Sequence, residues 1–108
     1  MEDCIFCKIS KGEIPTDFVY QDEDFVAFRD IKPAAPVHIL IVPKKHIGDF
    51  ITSAEIVHSI ILKIAKKLIK KFNLDKSGYR LVINGGGAAF ISHFHLHLLG
   101  RVTINREL

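Results

Sequence analysis

One stretch of this sequence repeats its apolar residues at helical spacing, and on either side of it the apolar residues fall at strand spacing. From Ser53 to Phe72, Ile56, Ile60, Ile64 and Leu68 recur with Val57 and Ile61 beside them, while Lys63, Lys66, Lys67, Lys70 and Lys71 lie opposite. That period predicts one long amphipathic helix. Thr52 with Glu55 three residues on reads as a capping box at its start. The lysines of its last turns suit the negative end of the helix dipole, and Asn73 and Gly78 lie beyond its end. Before it come Phe18–Tyr20, Phe25–Asp30 and Val37–Val42, read as strands, the first two split by the turn-like Gln21–Asp24 and the third stopped by Pro43. After it come Tyr79–Asn84 and His93–Leu99, separated by a glycine run. A short helix over Phe6–Lys11, ended by Gly12, opens the chain. Strands in runs, rather than alternating with helices, predict an α+β fold: an antiparallel sheet of about five strands, one long helix and a short N-terminal helix. The 108 residues read as one domain, 1–108, without repeat or linker.

Composition narrows the partners. The formal net charge of +3 is mild, and the lysine run is a solvated helix face. No basic strand carries the aromatics that stack on bases, so no nucleic-acid partner is expected. No window approaches the ~20 apolar residues of a membrane span. The opening MEDCIFCKIS is acidic first and has no long apolar core, unlike a secretory leader, so a cytoplasmic location is expected.

The residues richest in chemistry are His93-Phe94-His95-Leu96-His97-Leu98-Leu99. In a strand, alternate residues share a face, so the three imidazoles line one side and Phe94, Leu96 and Leu98 enter the other. An imidazole can serve as nucleophile, acid, hydrogen-bond donor or metal ligand. Ahead of the row stand Asn84 and Gly85-Gly86-Gly87. A glycine-rich turn can aim backbone N–H groups at an anion and lets a phosphate approach closely. Beside a histidine row it points to a phosphate.

Cys4 and Cys7 form a Cys-x-x-Cys pair. Such a knuckle needs two more ligands to close a tetrahedral zinc site. A redox dithiol, a disulfide and two plain thiols are the rivals, and the βαβ context of a thioredoxin-like motif is missing. His58, on the long helix, matches no site and reads as a surface or interface residue.

Over nearly its whole length the chain resembles the histidine-triad (HIT) family, particularly its nucleotide-binding Hint-like branch. The likeness lies in CIFCKISKGEIP, FVAFRDIKPAAPVHILIVPKKHI and HFHLHLLG. It implies a homodimer, an adenosine-type nucleotide ligand, and hydrolysis of adenosine 5′-phosphoramidates or related adenylates with release of AMP. Carried across by position, His95 is the nucleophile that attacks the α-phosphorus and forms a nucleotidyl-imidazole, with the carbonyl of His93 fixing its tautomer. His97, His38 and Asn84 hold the phosphate or lie near the leaving group. Asp30 binds the ribose hydroxyls, although an Asp before a proline-rich loop is also a common turn residue. Phe6, Ile9, Ile14, Phe28, Ile31 and Leu40 wall the base. Family members with the cysteine pair complete a structural zinc site from positions matching His46 and His93, so the implied metal set is Cys4, Cys7, His46 and His93. That zinc is expected to pin the N-terminus to the sheet, apart from the catalytic step, which needs no metal. Two alternatives keep the same site: a dinucleoside polyphosphate hydrolase, and a nucleotide-binding interaction module with reduced turnover.

The chain departs from the family before the triad. Asn84-Gly-Gly-Gly-Ala-Ala-Phe-Ile-Ser-His93 is two residues shorter than the usual loop, lacks its glutamine, and has Ser92 in place of an aromatic. Backbone N–H groups are then left to serve the phosphate alone, and weaker catalysis or an altered leaving-group preference is the expected cost. The tail Arg101–Leu108 is also short, on the side where the family shapes its leaving-group pocket.

Overall fold

The structure, a computed structural model, describes residues 4–103; the end of the C-terminal tail lies outside them. Seven elements follow in order: α1 (Ile5–Ser10), β1 (Phe18–Gln21), β2 (Phe25–Arg29), β3 (Val37–Pro43), α2 (Glu55–Lys71), β4 (Tyr79–Val82) and β5 (Leu96–Gly100). The five strands form one antiparallel sheet in the order β1-β2-β3-β5-β4. The expected α+β architecture is therefore present.

The β1–β2 turn is held by Asp22, whose Oδ1 accepts from the backbone N–H of Asp24 at 2.8 Å and of Phe25 at 2.7 Å. Every residue of β3 is buried, as an apolar, β-branched strand at the centre of a sheet should be. Its alternation divides two cores. Val37, Ile39 and Ile41 join Phe25, Ala27, Leu96 and Leu98 beneath Ile61, Ile64, Ala65 and Leu68 of α2. Leu40 and Val42 face the other way, with Val26, Phe28 and the α1 residues Phe6 and Ile9. His38 is on this second face, between the two α2-facing residues Val37 and Ile39.

Two expectations for α2 change. The capping box does not form: Ala54 is the N-cap and makes no side-chain cap bond, while the Thr52 hydroxyl donates to the Asp49 carbonyl at 3.3 Å. The buried stripe is also rotated from the one expected. Ile61, Ile64, Ala65, Leu68 and Ile69 are buried and Val57 packs against the same core, whereas Ile56 is 63% exposed, off the buried face. The C-terminus closes in a Schellman motif, with Asn73 at φ 56°, its N–H donating to Lys70 and the N–H of Leu74 donating to Ile69 at 2.8 Å.

Both strands near the histidine row are shorter than expected at the same end. β4 stops at Val82, and β5 starts at Leu96 rather than His93. The reason is tertiary: the Phe94 N–H is donated to Ile47, in the segment after β3, and the His93 ring is drawn into a cluster with the cysteines. Pro43 closes β3 from within. Neither described helix is long and apolar enough to cross a membrane.

Candidate active site and metal centre

Five of the six histidines converge on the α1 side of the sheet, His46 among them beside the cysteines. His95 is 8% exposed, His38 7% and His93 0%, with His97 partly buried. Their hydrogen bonds settle where the ring protons sit. A carbonyl can only accept, so the 2.7 Å contact from His95 Nδ1 to the His93 carbonyl places the proton on Nδ1. In the neutral ring, His95 Nε2 is then a free lone pair. The Ala34 N–H donates to His38 Nδ1 at 3.0 Å, so the His38 proton lies on Nε2, which donates to His97 Nδ1 at 2.9 Å. His97 in turn carries its proton on Nε2. The rings of His95 and His97 are 4.8 Å apart between centroids. The pair therefore offers a lone pair beside an N–H donor, the complement of an electrophilic phosphorus and its negative oxygens.

Burial favours the neutral form of His97 and His38. It is the main cause that lowers His97 to about 4, with repulsion from His95 and His38 adding to it and Asp30 opposing. His38 is lowered too, first by burial, with Asp30 again opposing and His95 assisting. Asp30 has two engagements: Oδ1 accepts the Lys32 N–H at 2.9 Å, and Oδ2 lies 3.5 Å from His38 Nε2. It is thus a turn residue and a neighbour of the histidines at once. Asp30, His38 and His97 are close enough together to suggest a cation site. The Ala34 N–H on His38 Nδ1 argues otherwise, because it commits Nε2 to carrying a proton.

Five of the six expected base-wall residues come together. Phe6, Ile9, Phe28 and Leu40 are buried in one cluster with Ile14 packed against it. Phe6 meets Phe28 edge-on at 5.8 Å and His95 at 5.0 Å, joining the apolar cluster to the histidine row. Ile31 is separate from them at 91% exposure. Ile91 packs on the same cluster and was not expected there, since residues of the glycine loop carry no periodic signal. Asn84 is exposed and makes no side-chain hydrogen bond among the described residues; the pairing of Val82 with His97 leads the chain from Val82 toward the His95 end of the row.

The glycine loop does not form the expected open set of backbone donors. The Gly86 N–H points to Asp49 Oδ2 at 3.4 Å, and the Ala88 N–H donates to the Gly85 carbonyl at 3.1 Å. A Cβ on Gly85 would stand 2.7 Å from Asp49 Oδ1, so the absence of a side chain there serves the carboxylate contact. Between the two loops opens a cleft of about 390 Å³ lined by His46, Asp49, Gly85 and Ser92 among others, on the metal side of the row.

Cys4, Cys7, His46 and His93 form the second constellation, with one ligand atom from each within 4.8 Å of the others. Cys4 Sγ is 3.2 Å from His93 Nδ1, Cys7 Sγ 3.3 Å from His46 Nδ1 and 3.5 Å from His93 Nδ1. A tetrahedral zinc with Zn–S of about 2.3 Å and Zn–N of about 2.0 Å has S···N edges of about 3.5 Å, so these residues fit that ion. His93 Nε2 donates to the Pro43 carbonyl at 2.8 Å, which leaves Nδ1 as the free ligand atom. Burial and the adjacent Cys4 raise the Cys7 thiol; a bound dication would favour its thiolate instead.

The sequence matches a family model described as "HIT domain" over residues 11–104. It is 40% identical over 104 residues to a purine nucleoside phosphoramidase of Escherichia coli strain K12, covering 92% of this chain and 87% of that protein. It is 46% identical over 108 residues to a 14 kDa zinc-binding protein of Zea mays, covering 94% and 84% respectively. Among solved structures, a HIT family hydrolase from Legionella pneumophila Philadelphia 1 superposes with a TM-score of 0.89 at 45% identity, covering 96% of this chain and 97% of that one.

Proposed function

The chain belongs to the HIT domain family, and on that premise we propose that it is a nucleotide hydrolase that cleaves adenosine 5′-phosphoramidates or related adenylates at the α-phosphate and releases AMP. The observation that carries this reading is the 2.7 Å bond from His95 Nδ1 to the His93 carbonyl, which commits the Nδ1 proton to the carbonyl and leaves Nε2 as the ring nitrogen that can attack. In the first step Nε2 bonds to the α-phosphorus while the bond to the leaving amine breaks and the amine takes up a proton. In the second, water cleaves the N–P bond, AMP departs and the imidazole is regenerated. The N–H of His97, aligned through His38, supports the phosphate oxygens as their charge rises. Phe6, Ile9, Ile14, Phe28 and Leu40 offer an apolar wall to the base, Ile31 an exposed one, Asp30 a carboxylate to the ribose, and Asn84 a polar group on the leaving side.

Zinc is the metal that Cys4, Cys7, His46 and His93 suit, as an ion that ties α1 to the sheet. The unit is read as one domain over 1–108, cytoplasmic, without nucleic-acid or membrane partner. It is also read as a homodimer, through the open edge where Tyr79 and Leu81 of β4 are exposed.

The test is AMP release from adenosine 5′-phosphoramidate by the wild type and by His95→Ala, with AMP binding measured on both. Turnover lost in the variant, with binding kept, supports the nucleophile. A dinucleoside polyphosphate as the better substrate would move the leaving group but keep the site. The engagement of Gly86 with Asp49 favours a second reading, because it takes a donor from the phosphate side: a nucleotide-binding module of low turnover. Binding of AMP by both proteins with cleavage by neither would select it.

A further inference from the structure

His93 belongs to both constellations. Its ring stands among the metal-type ligands, Nδ1 3.2 Å from Cys4 Sγ and Nε2 donating to Pro43 at 2.8 Å. Its backbone carbonyl is the acceptor that holds His95 Nδ1 at 2.7 Å. A ring held at both nitrogens fixes the His93 Cα–Cβ direction, and the Phe94 N–H, in the same peptide unit as the His93 carbonyl and bonded to Ile47 beside His46, sets the plane of that carbonyl. That hold matters because residues 93–95 precede β5 and have no strand ladder of their own; the Phe94 N–H to Ile47 is their nearby backbone tie.

The same cluster positions the apolar wall. α1 has six residues, far too few to be stable as a helix in isolation. Cys4 caps it and Cys7 lies within it, so two of the four ligand atoms come from this element. Between them is Phe6, which contacts His95 at 5.0 Å and Phe28 at 5.8 Å. His46, just beyond β3, completes the set opposite the His93 ring at 4.8 Å between centroids.

We propose that the metal centre governs the nucleotide site: a zinc ion on Cys4, Cys7, His46 and His93 holds the His93 carbonyl and α1 in register, so its loss releases the His95 tautomer and the Phe6–Ile9 wall together. The inference rests on reading His95 as the nucleophile and the α1 cluster as the base wall. It departs from the expectation that the metal stands apart from the catalytic step.

The test compares the full chain loaded with zinc and the same chain stripped by a chelator under reducing conditions. Imidazole proton–nitrogen NMR reads the His95 tautomer, and calorimetry reads the affinity for AMP. The loaded chain should show His95 as a single Nδ1–H tautomer. The stripped chain should show mixed tautomers and an AMP Kd raised about tenfold or more, both restored by added zinc. Cys4→Ser should give the stripped behaviour at zinc concentrations that saturate the wild type; should that variant not fold, chelation of the wild type decides alone.

Failure to bind zinc overturns the proposal. So does a stripped chain that keeps one tautomer and its AMP affinity. Loss of the whole fold on stripping overturns it too, since the ion would then hold the core rather than the site. If the loaded chain cleaves no phosphoramidate while tautomer and AMP affinity still follow zinc, the proposed reaction fails and the coupling stands.

Discussion

At the scale of single residues, the site is an arrangement of oriented imidazoles, each with its ring proton placed by a neighbour. Two backbone groups set it, the Ala34 N–H against His38 and the His93 carbonyl against His95. The three alternating histidines are plain in the sequence, but no side chain reports which nitrogen holds each proton. His97 lends this arrangement a pH signature. Its ring is lowered to about 4, chiefly by burial, so the folded chain takes up that proton less readily than the unfolded chain, whose histidine titrates near ~6.5. Between those two values the unfolded state holds more protons, and the stability, fully present above ~6.5, is lost as pH falls through the window. Thermal melts from about pH 7 down to about pH 5 should therefore decline more steeply for the wild type than for His97→Gln. Parallel declines would show that His97 is not the group responsible.

At the scale of elements, α2 shows what a period does and does not specify. The helical repeat places an apolar stripe toward a sheet, and Leu68 at 1% exposure is its centre. Leu68→Ala should cost about 2–5 kcal/mol in urea unfolding. Ile56→Ala, at 63% exposure, should lie within about 0.5 kcal/mol of the wild type. Both residues lie in the periodic stripe expected from the sequence; they differ because the buried face is rotated onto Ile61, Ile64, Ala65 and Leu68, with Val57 rather than Ile56 on the core side of the first turn. The N-terminus of α2 is a second case. Ala54 sits at the N-cap with φ −72° and ψ 146°, the extended geometry a capping side chain needs, yet brings no oxygen to it. Ala54→Ser should stabilise the protein by about 1 kcal/mol, read as a raised Tm, whereas no gain would mean the first-turn N–H groups already have partners. The capping box failed because the helix begins at Glu55 with Ala54 as its N-cap, which leaves Thr52 outside the first turn, its hydroxyl donating to the Asp49 carbonyl.

At the scale of the whole molecule, one sheet carries the long helix on one face and the short helix with the site on the other. β4 is left as an edge strand with Tyr79 and Leu81 exposed, and α2 shows Ile56 and Leu62 to solvent. Unpaired apolar edges favour a partner strand. Sedimentation should show a dimer that persists on dilution into the micromolar range, and a Leu81→Lys change should shift it toward monomer; a wild-type monomer at all concentrations would remove the dimer from the functional reading.

Determined by the sequence alone are the α+β class, five strands and two helices near their observed bounds, the alternation of the central strand, and the histidine and cysteine sets. These depend on periods of two and 3.6 residues and on residue chemistry, which are local properties. The tertiary structure decided the rest. It placed Ile91 on the apolar wall and Ile31 away from it, turned the Gly86 N–H to Asp49, and began β5 at Leu96 because Phe94 and His93 had partners elsewhere. It also brought the cysteines to the histidine whose carbonyl holds His95 Nδ1. The contacts among these join segments far apart in the chain, where donors and acceptors of different segments compete for one another. No periodicity encodes that competition, because its outcome depends on which donors and acceptors the folded chain places within about 3 Å of one another.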